Sequence, residues 1–408
     1  MVELSELFLR RGLAVTVVVV VPPAASTDAS SAVARAVEAN PSINFHMLPL
    51  PPPNTVPPAA VEQDQGQEPP HNPFALLRQS NAPLRDYLRS ALQSASVCAL
   101  VLDIFCVDAL DVAADLGVPA YLFYTSGASS LAVSLHMPQK QAEVNASFGD
   151  IGDAPLCFPG VPAFRPTELP VNALDRDNQV YRVFLSAFER VPACRGMLVN
   201  TFEWLEPRVV AALRDGACVP GRPTPPVYCV GPLVSGGGEV QDKKHACLVW
   251  LDAQPENSVV FLCFGSMGSF SKRQLEAIAT GLEMSGQRFL ATGAFVTHCG
   301  WNSILEGITA GVPLLCWPLY AEQRLNKVFM VEDARVGVEI AGYDGEVVTA
   351  EEVEAKVRWV MHSEDGRALR GSSMAAKEKA LEALQQGGTS HNALLELLSD
   401  LGMRHSSE

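Results

Sequence analysis

The ten cysteines of this 408-residue chain never form a CxxC pair. They sit singly, as at Cys98, Cys106, Cys229 and Cys263, which excludes a zinc spacing and a small disulfide framework and fits a reducing compartment, so a cytoplasmic location is expected. No apolar run approaches the ~20 residues of a membrane span. No GxGxxG follows a strand-like run, which leaves a dinucleotide-dependent dehydrogenase a weak reading. Positive charge is in deficit, with 30 Lys and Arg against 45 Asp and Glu. That net −15 argues against nucleic acid and anionic membrane surfaces as partners. What remains, 48% hydrophobic and 18% charged, is the balance of an ordinary buried globular protein, and the length exceeds one core, so two domains are expected.

One segment has the outline of a secretory signal: Arg10-Arg11, then Leu13 to Val21, then Pro22-Pro23-Ala24-Ala25. The stretch before it carries Glu3 and Glu6 among Leu4, Leu7 and Phe8, an amphipathic helix and not a basic leader. The valine-rich run therefore reads as a buried parallel strand. Ile43 to Leu50 is a further apolar piece, 51–73 a proline-rich loop excursion, and Leu76 to Ala95 a helix. Cys98 to Asp103 reads as a strand with a carboxylate at its C-terminal end, where open α/β sheets bind ligands. On composition alone Asp103 is an N-cap for the next segment. Pro119 to Tyr124 is another strand, and Thr125-Ser126-Gly127 a turn into a helix, with Thr125 readable as a cap. GMLVNTFEWLEP (196–207) reads as strand then helix, while 139–190 carries no motif. Composition loosens at VPGRPTPP (219–226) and Ser235 to Gly238, a flexible linker and domain boundary.

Beyond it the periods alternate: strand 258–264, helix 272–284, strand within 289–297, helix 302–310, strand 312–317, helix 321–332. Thr349 with Glu352 is a capping box, and Val353, Val357 and Val360 share a helix face. The densest stretch is 293–326, GAFVTHCGWNSILEGITAGVPLLCWPLYAEQRLN. An apolar run, Ala294 to Thr297, breaks at His298-Cys299-Gly300, and a helix starts at Trp301-Asn302-Ser303. The free N–H groups of that helix start, with the Ser303 hydroxyl and the Asn302 amide, suit an anion. Alone, His298 would read as a core histidine.

HCGWNSxLE, then GVPxxxWP, then AEQxxN resembles the C-terminal half of the signature box of plant UDP-glycosyltransferases, and the resemblance runs over nearly the whole chain. It implies an α/β protein of two Rossmann-like domains facing across a cleft (GT-B type). The acceptor-binding domain would be 1–238, the UDP-sugar-binding domain 239–388, and 389–408 a helix crossing back onto the first. It implies a monomer without cofactor or metal, in which a UDP-sugar is co-substrate and a small plant phenolic the acceptor. His298, Trp301, Asn302 and Ser303 would serve the diphosphate, and Ser266 in the FGSMG turn and Thr125 would lie near the phosphates and sugar. Glu306 would accept from ribose hydroxyls, and Glu322 and Gln323 would bind sugar hydroxyls as adjacent acceptor and amide groups. Asp103, in VLDIF, matches the aspartate that orients the family's catalytic histidine.

Two family pieces have no match. MVELSELFLRRGLAVTVVVV resembles the first helix and second strand, so the preceding strand and the loop with the histidine are absent, and neither His46 nor His136 matches that position. Between Pro255 and Pro313 there is no proline, and between Trp250 and Trp301 no tryptophan, so the box's Trp-x-Pro-Gln, which stacks on uracil, is missing. SGQRFL (285–290) abuts ATGAFVTHCG (291–300), an internal deletion near 290/291. The C-terminal sheet should lose a strand's worth of pairing and expose an edge and apolar surface. Two functions follow: inverting, metal-independent transfer of a sugar, glucose by resemblance, to a phenolic such as a flavonoid; or an inactive remnant that binds small molecules.

Overall fold

A computed structural model describes residues 1–21, 27–50, 73–234, 246–255, 258–289 and 293–403. The expected loop 51–73 apart from Pro73, which begins a helix, the Pro22–Ala25 end of the signal-like run, Ser235 to Gly238, the boundary at 238/239 and the 290/291 junction lie outside these residues. Packing divides the chain into two units, Met1–Phe123 with Ser186–Gly196, and Tyr124–Leu185 with Met197–Glu408.

In the first unit, α1 (Val2–Leu9) leads into β1 (Thr16–Val21), α2 (Thr27–Ala39) and β2 (Asn44–Pro49), and β1 and β2 pair in parallel with Thr16 opposite Asn44. The expected helix 76–95 is two helices, α3 (Pro73–Arg78) and α4 (Asn81–Ser94). Pro83 in the first turn of α4 has no N–H to offer backwards, so the helix restarts instead of running through. Leu84 and Leu88 form its buried face. β3 (Leu100–Asp103) feeds a 3₁₀ turn and α5 (Leu110–Leu116), and pairs in parallel with β4 (Ala120–Tyr124), every residue of which is buried. The near-continuous apolar character of β4 is what a strand covered on both faces requires.

The second unit opens with α6 (Ala128–Val144), and α7 (Gln179–Arg190) runs back into the first. β5 (Gly196–Val199) precedes α8 (Pro207–Arg214) and pairs in parallel with β6 (Val227–Cys229). The proline-rich 219–226 belongs to this unit, and Val219 and Pro225 are buried in it. After α9 (Ala246–Asp252) come β7 (Val259–Cys263), α10 (Lys272–Ser285), β8 (Arg288–Phe289), β9 (Ala294–Thr297), α11 (Trp301–Ala310), β10 (Leu314–Cys316), α12 (Gln323–Val328), a π turn and β11 (Gly337–Glu339). α13 (Ala350–His362), α14 (Glu364–Leu384) and α15 (Thr389–Asp400) close the chain. α13 is capped by Thr349, whose side chain accepts from the Glu352 N–H, and buries Val353, Val357 and Val360. α15 lies against β6, with the Ser390 hydroxyl bonded to the Gly231 carbonyl.

The sheet order is β11-β10-β9-β7-β8, parallel at each pair. The single strand expected within 289–297 is two strands on opposite sides of β7: Phe289 and Ala294 both lie beside Val260. Parallel strands need a crossover of a dozen or more residues, and here only 290–293 intervene, so β8 is two residues long. The expected bare surface is present on β7: Phe261 is 38% exposed although its strand is paired on both sides, and Met267 in the following turn is 74% exposed. No helix among the described residues is long and apolar enough to cross a membrane.

Candidate active site

The chemistry-bearing turns of the second unit follow the C-terminal ends of its parallel strands, where this architecture places ligands. β9 ends in the turn 298–300. His298 is buried, and its Nδ1 lies 3.3 Å from the Cys263 carbonyl, so Nδ1 carries the proton and Nε2 is left to meet a ligand. A Cβ on Gly265 would fall 2.7 Å from Nε2 and one on Gly300 2.4 Å, so only glycine on either side accommodates the ring. Burial holds the His298 pKa below the ordinary value, partly offset by the carbonyl.

α11 begins at Trp301, and its first N–H groups have no helical partner. The part of Trp301 that can serve a diphosphate is its backbone, because the indole is turned inward. It is buried, its N–H donates to the Asn200 carbonyl at 2.6 Å, and its ring lies over Gly127, where a Cβ would come within 2.5 Å. Only its backbone N–H remains for a ligand. Asn302 and Glu306 are exposed on α11 and Ser303 is half-buried. Ser266 is exposed in the turn after β7, and Thr125 is half-buried before α6.

The turn after β10 carries Glu322 and Gln323. The Ser126 hydroxyl lies 3.5 Å from a Glu322 carboxylate oxygen, which brings the 125–127 loop to this turn, and burial raises the Glu322 pKa. Gln323 is buried with its side-chain oxygen accepting from the Leu319 and Tyr320 N–H groups at 2.9 and 3.0 Å. That oxygen shapes the loop, so a sugar hydroxyl would be met by the Gln323 amide NH₂. The second unit thus gathers Thr125, Ser126, His298, Trp301 and Glu322 through direct contacts or adjacent turns.

Asp103 lies in the first unit, at the end of β3. One of its oxygens accepts from the Phe105 N–H at 3.0 Å, so the capping role is realised. Burial raises its pKa, opposed by that hydrogen bond. His46 stacks on Tyr87 at 3.9 Å and His136 packs edge-on against Phe158.

Two residues escaped sequence reasoning. Glu206 is 0% exposed and accepts from the Ala128 N–H (2.8 Å), the Ser129 N–H (2.7 Å), the Ser129 hydroxyl (2.6 Å) and the Thr201 hydroxyl. It caps α6 from 78 residues away in sequence, and no local pattern signals that. Asn326 is 2% exposed and donates to the Cys299 carbonyl at 3.0 Å. It stood in the AEQxxN motif without an assigned role.

This combination of a parallel α/β sheet and glycine-flanked strand-end turns has counterparts. The family model for UDP-glucoronosyl and UDP-glucosyl transferases matches residues 288–384. An anthocyanidin 5,3-O-glucosyltransferase of a Rosa hybrid cultivar is 36% identical, covering 97% of this chain and 94% of that protein. A phloretin 2'-O-glucosyltransferase of Pyrus communis is 38% identical, covering 80% and 82%. Among solved structures, Phytolacca americana UGT2 complexed with UDP-2fluoro-glucose and pterostilbene superposes with a TM-score of 0.84 at 30% identity, over 98% of this chain and 94% of that one. Medicago truncatula UGT71G1 complexed with UDP-glucose gives 0.80 at 29%, over 98% and 95%. The fold is therefore of the GT-B type. The chain belongs to the plant UDP-glycosyltransferases, enzymes that transfer glycosyl groups. The alignment to the Rosa protein spans 460 positions, more than the 408 residues of this chain, so that relative carries internal residues with no counterpart here.

Proposed function

We propose that this chain transfers glucose from UDP-glucose to a hydroxyl of a small phenolic. The observation that carries the reading is the convergence, within the second unit, of the His298 ring edge, the start of α11 and the Ser126–Glu322 pair. The relatives are named for glucosylating an anthocyanidin and phloretin, and the Phytolacca protein is complexed with UDP-2fluoro-glucose and pterostilbene.

In the proposed reaction the acceptor oxygen attacks the anomeric carbon from the face opposite the diphosphate. The carbon–oxygen bond to UDP breaks, UDP leaves with the electron pair, and the configuration inverts. The acceptor proton passes to a base. His298 and the first N–H groups of α11 would bear on the departing diphosphate, the helix start contributing ~0.3–1 kcal/mol of favourable field, more where water is excluded. Those donors supply the charge stabilisation without a metal ion. Ser266, Asn302 and Ser303 would contact phosphate oxygens, Thr125 and Glu322 sugar hydroxyls, and Glu306 the ribose. Asp103 is the candidate for the proton-accepting side. Its carboxyl, raised by burial, is a better base than an exposed aspartate. General base catalysis contributes ~10²–10⁴-fold, the part of the rate that Asp103 would supply.

The second reading, a non-catalytic binder, is favoured by the missing Trp-x-Pro-Gln. Thermal unfolding with and without millimolar UDP-glucose, followed by chromatography for a phenolic glucoside, separates the two. A shifted midpoint with glucoside supports transfer, a shift without glucoside the binder, and no shift rejects donor recognition.

A further inference from the structure

Cys299 is a non-glycine residue held at φ +63°, in the left-handed region that costs an L-residue about 1–2 kcal/mol. Both of its peptide groups are captured by side chains. Its N–H donates to the Thr297 hydroxyl at 3.2 Å, and its carbonyl accepts from the Asn326 amide at 3.0 Å. In a planar trans peptide the carbonyl of one residue and the N–H of the next point in opposite directions. With the Cys299 carbonyl drawn to α12, the Gly300 N–H must point away from α12. That N–H belongs to the N-cap of α11, a residue whose Cα has the His298 ring against its side-chain position.

We propose that Asn326 is a positioning residue for donor binding: by capturing the Cys299 carbonyl it holds the left-handed turn that aims the Gly300 N–H and His298 at the diphosphate. The inference rests on the donor-site reading above. α12 is anchored independently on another face, where buried Lys327 pairs with Glu168 at 3.1 Å and Glu339 at 2.7 Å. Removing the Asn326 amide therefore frees the turn without releasing the helix.

The test uses three forms of the full chain: wild type, Asn326→Ala, and Asn326→Ala with Cys299→Gly. Glycine adopts positive φ without penalty, so it should restore the turn that Asn326 otherwise enforces. UDP-glucose affinity by calorimetry should fall about tenfold in Asn326→Ala, one charge-assisted hydrogen bond, and return to within about threefold of wild type in the double variant. The thermal midpoint of the double variant should stay low, because glycine leaves the buried thiol's space empty. Recovery of affinity without recovery of stability is the result that a purely packing role for Asn326 would not give. Unchanged affinity in Asn326→Ala, or a double variant no better than the single, overturns the inference. If the wild type binds no UDP-glucose, the donor-site reading fails, and amide hydrogen exchange over 298–303 still decides the turn. Exchange should accelerate in Asn326→Ala and slow again in the double variant, and identical exchange in all three refutes it.

Discussion

Replacing Glu206 should destabilise the second unit in two graded steps. The carboxylate is fully buried and holds two backbone N–H groups at the start of α6 and two hydroxyls. In Glu206→Ala the hydroxyls of Ser129 and Thr201 can turn to other acceptors, but the Ala128 and Ser129 N–H groups cannot. Two buried, unsatisfied backbone donors cost about 1–3 kcal/mol each, so a loss of about 4 kcal/mol is expected. In Glu206→Gln one oxygen survives and the amide NH₂ faces the other pair. Thr201 can rotate to accept from it, which leaves one orphaned N–H and a loss of about 2 kcal/mol. The pH dependence adds a signature. Burial raises the Glu206 pKa above its ordinary value, so its contribution is full below the ordinary carboxylate range and is lost as pH rises through the raised folded value. Glu206→Gln should flatten the fall of stability over that window. Urea unfolding followed by tryptophan fluorescence, repeated from pH 4.5 to 7.5, measures both. A loss under about 1 kcal/mol for alanine, or equal losses for the two variants, would refute the capping argument.

Gly300→Ala should leave the unfolding midpoint within a few degrees, because φ at 300 is −63° and suits alanine, yet raise the UDP-glucose Kd at least about tenfold by displacing the His298 ring, as calorimetry will report. Because Nδ1 of His298 is bonded to a carbonyl, Nε2 must gain a proton to donate to a phosphate oxygen. UDP-glucose binding should therefore tighten as pH falls from 7.5 to 6, with proton uptake visible as a buffer-dependent enthalpy, and His298→Asn should abolish that dependence.

The strand–turn–helix rhythm of the second unit was legible because β7, β9 and β10 are apolar runs cut by glycine or proline, and α13 carries its own cap. The split of 289–297 across β7 was not, since a two-residue strand has no period to read. Within the candidate site, motif spacing pointed to His298, Glu322 and the start of α11. It could not tell a side chain facing a ligand from one turned inward: the partners of the Trp301 indole and the Gln323 oxygen, Asn200, Leu319 and Tyr320, are matters of packing. Glu206 stayed invisible for the same reason, its partners on α6 being 77 and 78 residues distant.

The indole of Trp301 seated over Gly127 makes two positions far apart in sequence answerable to each other. No side chain can enter at 127 while tryptophan occupies 301, and a smaller ring at 301 would strand the Asn200 carbonyl. Drift at either site is therefore blocked unless both change together. In a library built on this scaffold, 127 and 301 should be randomised as one block.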